Sequence, residues 1–139
     1  MKKIIYCIMI ALCFMSCGDS WTEYEFYVDN QTEFNVTIYI SNKTQDSILC
    51  LPNTKTNILS DGDFRSKRGT LSCLPTKLSD WYTINIVVDN GQKNITKDFF
   101  NEDNWECSGT KDFSVAMFSN IYIEVESTFV ITDEDVSAQ

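Results

Sequence analysis

The spacing of the apolar residues constrains this chain most, and that spacing is two. Tyr24, Phe26 and Val28 alternate with Glu23, Glu25, Tyr27 and Asp29. Phe34, Val36, Ile38 and Ile40 alternate with Asn35, Thr37, Tyr39 and Ser41. Successive side chains of a strand point to opposite faces, so each run buries one face and wets the other. No segment after residue 20 repeats at the 3.6 spacing of an amphipathic helix. The chain is therefore expected to be all-β.

Turn residues divide it into short strands. "DNQTE" between the first two runs suggests a hairpin, and "SNKTQD" a second turn. Ser47 to Leu51 reads as a strand ending at Pro52, which has no N–H for a ladder. Thr56 to Leu59 reads as another, and "SDGDFRSKRGT" at 60–70 as a long polar loop. Trp81 to Val88 and Lys93 to Lys97 form a hairpin about Asn90-Gly91, the pair a type I′ turn prefers. Residues 99–112 read as irregular and Phe113 to Phe118 as a strand. Ile121, Ile123, Val125, Phe129 and Ile131 mark one face of a long strand, with Ser127 as a bulge or an edge position. Thr132 is placed to cap a final helical turn. Seven or eight strands with frequent turns predict an antiparallel β-sandwich of immunoglobulin-like type, with a barrel as the alternative.

The N-terminus has a different texture. Lys2 and Lys3 precede an apolar run from Ile4 to Met15, too short for the ~20 residues that span a bilayer. A basic start, a short apolar stretch and then small residues have the layout of an export signal. The tetrad Phe14-Met15-Ser16-Cys17 resembles a bacterial lipobox, in which the cysteine is acylated and becomes the new N-terminus. Ser16 matches the small position; Phe14 and Met15 depart from the commoner residues. On this reading residues 1–16 are a signal peptide, 17–22 a tether and 23–139 the sandwich domain, with Cys17 as the lipid attachment site. Trp21, in the tether, suits a lipid headgroup zone. The competing reading is cleavage after Gly18 and release of a soluble protein.

Removing residues 1–16 takes two lysines and no acid, so the formal net charge moves from −9 to −11. Such a surface repels nucleic acid, and no nucleic-acid partner is expected. Histidine is absent, which removes Ser-His-Asp and Cys-His catalysis and any histidine-containing zinc site. Neither a catalytic constellation, a metal centre nor a cofactor is expected. The acidic groups Asp61/Asp63, Glu102/Asp103 and Asp133–Asp135 lack the spacing of a calcium loop and read as solvated.

Three cysteines remain in the domain: Cys50, Cys73 and Cys107. They allow one bridge and one thiol left over, with three possible pairings. Cys50–Cys73 is the first choice because it would staple the basic loop; the alternative leaves all three as small buried hydrophobes. Tyr27 and Tyr39, on otherwise polar strand faces, and Trp105 are the candidate contact aromatics for a protein or glycan. The plainer reading puts Trp81 in the core and makes Trp105 a plug at its end. Four N-x-[ST] triplets begin at Asn30, Asn35, Asn42 and Asn94 and would be glycan acceptors in a eukaryotic secreted protein.

The lysine-rich signal with its lipobox, the aromatic first strand "YEFYVDNQT", the "DNGQK" hairpin and the ending "FVITDED" together resemble small Bacteroidota lipoproteins. "DSI" at 46–48 resembles the O-glycosylation acceptor of that group. The resemblance implies an outer-membrane, lipid-anchored β-sandwich, periplasmic or surface-facing, and supplies no activity. The expected function is a non-enzymatic binding or adaptor module for an envelope protein or glycan. The rivals are a small secreted enzyme or inhibitor and a eukaryotic secreted glycoprotein.

Overall fold

In the computed structural model the described residues are 20–42, 45–65, 72–75, 78–113 and 121–138. Among them nine strands form two sheets. In chain order they are β1 (Ser20–Asn30), β2 (Val36–Ser41), β3 (Gln45–Cys50), β4 (Thr54–Arg65), β5 (Thr83–Val88), β6 (Lys93–Ile95), β7 (Trp105–Phe113), β8 (Ile121–Ile131) and β9 (Val136–Ala138). One helical turn, α1 (Leu78–Trp81), precedes β5. Sheet 1 has the order β4-β1-β8-β7 and sheet 2 the order β3-β2-β5-β6-β9.

The protein is an all-β sandwich. All neighbours are antiparallel except β1 and β8, which run parallel in unbroken register from Ser20↔Ile121 to Asn30↔Ile131. The immunoglobulin arrangement orders its sheets 1-2-5-4 and 3-6-7, and this chain follows a different order. One core fills the space between the sheets. Sheet 1 contributes Tyr24, Phe26, Val28, Ile123, Val125, Phe129 and Ile131; sheet 2 contributes Val36, Ile38, Ile40, Cys50 and Val88. Each buried Val, Ile or Phe side chain stabilises the fold by roughly 1.5–3 kcal/mol relative to exposure.

The period-two reading of β1 and β2 holds, but the hairpin between them does not form. β1 pairs with β4 and β8, and β2 with β3 and β5. Each strand has one apolar face, and each faces the other across the core from opposite sheets. Residues 31–35 carry the chain across. The Gln31 N–H donates to the Ile131 carbonyl (2.8 Å) on sheet 1, and the Asp89 N–H donates to the Asn35 carbonyl (2.9 Å) on sheet 2.

Two segments read as loops are strands. β4 continues through Asp61, Gly62 and Asp63 to Arg65, because β1 extends to Trp21 beside it. Register shifts between Thr22 and Tyr24 and between Phe26 and Tyr27 give β4 its extra residues, as bulges do on edge strands. β7 covers "WECSGTKDF", read as irregular, and pairs with β8 from Trp105↔Phe129 to Phe113↔Ile121. The expected strand at 113–118 lies, beyond Phe113, outside the described residues. So does all of the chain before Ser20, including the expected signal peptide and Cys17. β1 begins three residues inside the segment read as a tether.

The β5–β6 turn matches its sequence. Asn90 (φ 53°, ψ 30°) and Gly91 (φ 86°) take the positive φ values of a type I′ turn, closed by the Gln92 N–H on the Asp89 carbonyl (3.0 Å). Ser127 is neither bulge nor edge. It is fully buried in the middle of sheet 1, and its Oγ donates to the Cys73 carbonyl (2.6 Å).

Candidate functional site

The disulfide is Cys73–Cys107, with a Cα–Cα distance of 5.3 Å, and Cys50 is a buried free thiol. The expected Cys50–Cys73 pairing is overturned by position. Cys50 lies opposite Val36 on the inner face of sheet 2, whereas Cys73 lies against sheet 1 beside Ser127 and Cys107. Burial pushes the Cys50 thiol up, partly offset by a hydrogen bond with Thr56, so it is held as the unreactive neutral form.

The bridge belongs to a wider anchorage. Glu102 accepts hydrogen bonds from Ser72 Oγ (2.7 Å) and the Cys73 N–H (2.9 Å). Tyr24 donates to the Ser72 carbonyl (3.2 Å). Burial, with the charge of Glu102 added, pushes the Tyr24 phenol up to about 12. Glu102 is thus committed to structure. Asp61, too, accepts a hydrogen bond from Tyr82, and Asp135 caps the last turn. Among the described residues no three Asp, Glu, Cys or His side chains gather where they would hold a metal ion.

The candidate contact aromatics fall into three environments. Trp105 is a core residue and not a contact platform: it is 6% exposed, its Nε1 donates to the Phe99 carbonyl (2.7 Å), and its ring stacks edge-on to Phe99 and Phe26. The plug reading of Trp105 therefore holds, while Trp81, read as core, is 49% exposed. Tyr27 is on the outer face of sheet 1, tied into a charged network. Its hydroxyl donates to Glu25 (2.9 Å), and Lys55 lies 4.8 Å above its ring while pairing with Glu126. Tyr39 is exposed near the centre of the outer face of sheet 2.

The two outer faces differ in charge. On sheet 1 the parallel register sets Glu23 beside Glu124 and Glu25 beside Glu126. These four line a shallow depression of about 360 Å³ above Gly109. On sheet 2 the outward positions of β2 are Thr37, Tyr39 and Ser41, and those of β5 are Thr83, Asn85 and Val87. β3 adds Ser47 and Leu49, and the short strands β6 and β9 add the Asn94–Ser137 pair. None of these ten side chains is charged at neutral pH. Tyr39, Ser41, Thr83, Asn85 and Val87 line an open depression of about 430 Å³. Hydroxyls and an amide around one ring can donate and accept hydrogen bonds and stack, which suits an uncharged polar ligand.

This face was within reach of sequence reading, which singled out Tyr39 alone. The signal is the outward phase of "VTIYIS" and "TINIVV", uncharged in a chain with 20 acids, where β1 and β8 place glutamates. No protein-family model, curated protein or solved structure matches the chain.

Proposed function

We propose that this protein is a lipid-anchored, non-enzymatic binding module of a bacterial outer membrane, attached through Cys17 and contacting an envelope protein or glycan through the outer face of sheet 2. The anchor is supported by Lys2-Lys3, the apolar run to Met15 and Ser16-Cys17. The observation that carries the binding role is the uncharged outer face of sheet 2 on a chain of net charge −9. Charge keeps a surface dispersed, and a contact face loses less on desolvation without it. Tyr39 supplies a large, stiff contact group on that face, of a kind that often carries binding energy.

Intact mass of the mature protein tests the anchor. A chain starting at Cys17 with acyl mass supports it; an unmodified chain starting at Asp19 refutes it. Photo-crosslinking in intact cells tests the face. A reactive residue at position 85 is expected to give defined adducts that are lost with Tyr39→Ala, and one at position 25 is not. Equal adduct patterns at both positions would refute the assignment.

A further inference from the structure

We propose that the outer face of sheet 2 is a glycan site that takes an uncharged oligosaccharide, with the Tyr39 ring as its stacking platform. The inference rests on the reading of that face as a contact surface and names what it contacts.

Register builds the site. Tyr39 has Ser47 beside it on β3 and Asn85 beside it on β5. Thr37 and Ser41 flank it along β2, two residues away on either side. Neighbouring strands lie about 4.8 Å apart and alternate residues of one strand about 6.6 Å apart. Four polar side chains therefore frame the ring within the footprint of one sugar and its hydroxyls. The Tyr39 side chain is 37% exposed, so an apolar surface is open to solvent inside that polar frame.

Composition separates a glycan from a protein as the occupant. Seven of the ten outward side chains on this face are Ser, Thr or Asn, and only Leu49 and Val87 are aliphatic. Protein interfaces favour aromatic residues, Met and Arg and are depleted in Ser. This face has neither Met nor Arg, and Ser occurs in it three times. A sugar asks for this mixture. Its ring C–H groups pack on an aromatic surface, and its hydroxyls both donate and accept. Serine and threonine hydroxyls do the same, and an asparagine amide supplies two donors and an acceptor. Among the described residues, the side chains of Thr37, Ser41, Ser47, Thr83 and Asn85 form no hydrogen bond within the protein. Comparable surface groups elsewhere are already engaged. Thr54 donates to the Leu51 carbonyl (2.7 Å), Thr96 to the Asp135 carbonyl (3.1 Å) and Asn104 to the Asp98 carbonyl (2.8 Å).

Charge and shape fix the class of glycan. None of the ten side chains is a cation that could pair with a uronate, sulfate or phosphate, and the net charge of −9 repels such groups. The open depression of about 430 Å³ covers one side of a sugar ring and does not enclose it. One ring held on one side gains little against the entropy of binding, so a run of linked sugars is the ligand that fits.

The test passes the mature protein over immobilised neutral hexose polymers (a β-glucan, an α-mannan and a galactan), with polygalacturonate and dextran sulfate as anionic counterparts. Wild type is expected to be retained by at least one neutral polymer and by neither anionic one. Tyr39→Ala should weaken that retention about tenfold or more, as loss of a dominant contact does, while Tyr39→Phe keeps most of it. Asn85→Ala, at an exposed position that leaves the ring in place, should also weaken it and carries the test should Tyr39→Ala not fold. Glu25→Gln, on the opposite sheet, should not change it. Retention by no neutral polymer, equal or stronger retention by the anionic ones, or retention unchanged in both Tyr39→Ala and Asn85→Ala overturns the glycan site. Tyr39-dependent crosslinks from position 85 to a protein or a second copy, without retention, overturn it while leaving the contact face standing. Retention that falls with Glu25→Gln and not with Tyr39→Ala overturns both.

Discussion

Asn30 illustrates how a single residue can be misread from its neighbours. The triplet Asn30-Gln31-Thr32 has the form of a glycan acceptor, yet Asn30 and Thr32 are fully buried. Asn30 Nδ2 donates to the carbonyls of Phe34 (2.8 Å), Cys50 (3.1 Å) and Leu51 (3.1 Å), and its Oδ1 accepts from Thr32 Oγ1 (2.8 Å) and the Thr32 N–H (3.2 Å). The side chain ties the end of β1 to the end of β3 and to the link into β2, so it fixes the step between sheets. Asn30→Asp sets a carboxylate against three carbonyls and is expected to cost about 3–5 kcal/mol in urea denaturation. Asn30→Ala leaves those carbonyls unpaired and should cost about 2–3 kcal/mol. A loss under 1 kcal/mol for either would refute the hub.

Tyr24, Tyr82 and Asp135 each make the stability of the fold depend on pH. Tyr24 is raised from 10.0 to about 12, so the folded state favours the neutral phenol. That contribution is complete below pH 10 and is lost as pH rises through 12. Tyr24→Phe should therefore flatten the fall in stability between pH 10 and 12, read from denaturation curves at each pH. Tyr82, raised by burial and by Asp61, acts in the same direction. Burial alone would raise Asp135, but hydrogen bonds from Thr132 and Lys97, with the charge of Lys97, outweigh it and hold the carboxyl below 3.8. Its contribution is present above about pH 4 and disappears as pH falls through the lower folded value. Asp135→Asn should weaken the protein at pH 7 and matter progressively less below pH 4.

Among the elements, β7 depends most on what is fastened to it. It is an edge strand with two inward anchors, Trp105 and Cys107, and its alternation is too thin to be recognised in "WECSGTKDF". The strands legible in the sequence, β1, β2, β5 and β8, have a buried apolar phase, interrupted in β8 at Ser127. β4 and β7 are held by their neighbours' register, and that information lies in other parts of the chain. The hairpin expected between β1 and β2 failed for a related reason. Alternation says that a strand has a buried face but not in which sheet that face lies. Pairing the wrong cysteines had the same origin, since sheet membership decides which thiols can meet. The bridge closes a separation of 34 residues, which corresponds to about 4 kcal/mol in the chain-entropy description. Cys73→Ser with Cys107→Ser is expected to lose about 2–4 kcal/mol, measured by denaturation under identical buffer conditions. Reducing agent should reproduce that loss in wild type and leave the double variant unaffected. Cys50→Ala should not imitate it, because that thiol is unpaired.

At the scale of the whole molecule, the acidity evident from composition is distributed unevenly. Parallel pairing of β1 with β8 places like charges side by side on the outer face of sheet 1, Glu23 with Glu124 and Glu25 with Glu126. Lys55 answers Glu126. Cross-strand like charges destabilise a sheet, and the repulsion is screened within about 10 Å at 0.1 M salt. Glu124→Gln should therefore stabilise the domain by about 0.5 kcal/mol in low salt, with the gain fading toward 1 M sodium chloride. The same substitution should leave contacts made through Tyr39 unchanged, because the two faces are on opposite sheets. If Glu124→Gln instead destabilised the fold at low salt, the acidic rows would be bound into favourable interactions and the electrostatic division of the molecule would be wrong. A division that survives this test explains why a repulsive face is kept. Like charges on sheet 1 disfavour its contact with a second copy or another acidic surface, a barrier that the uncharged face of sheet 2 does not raise.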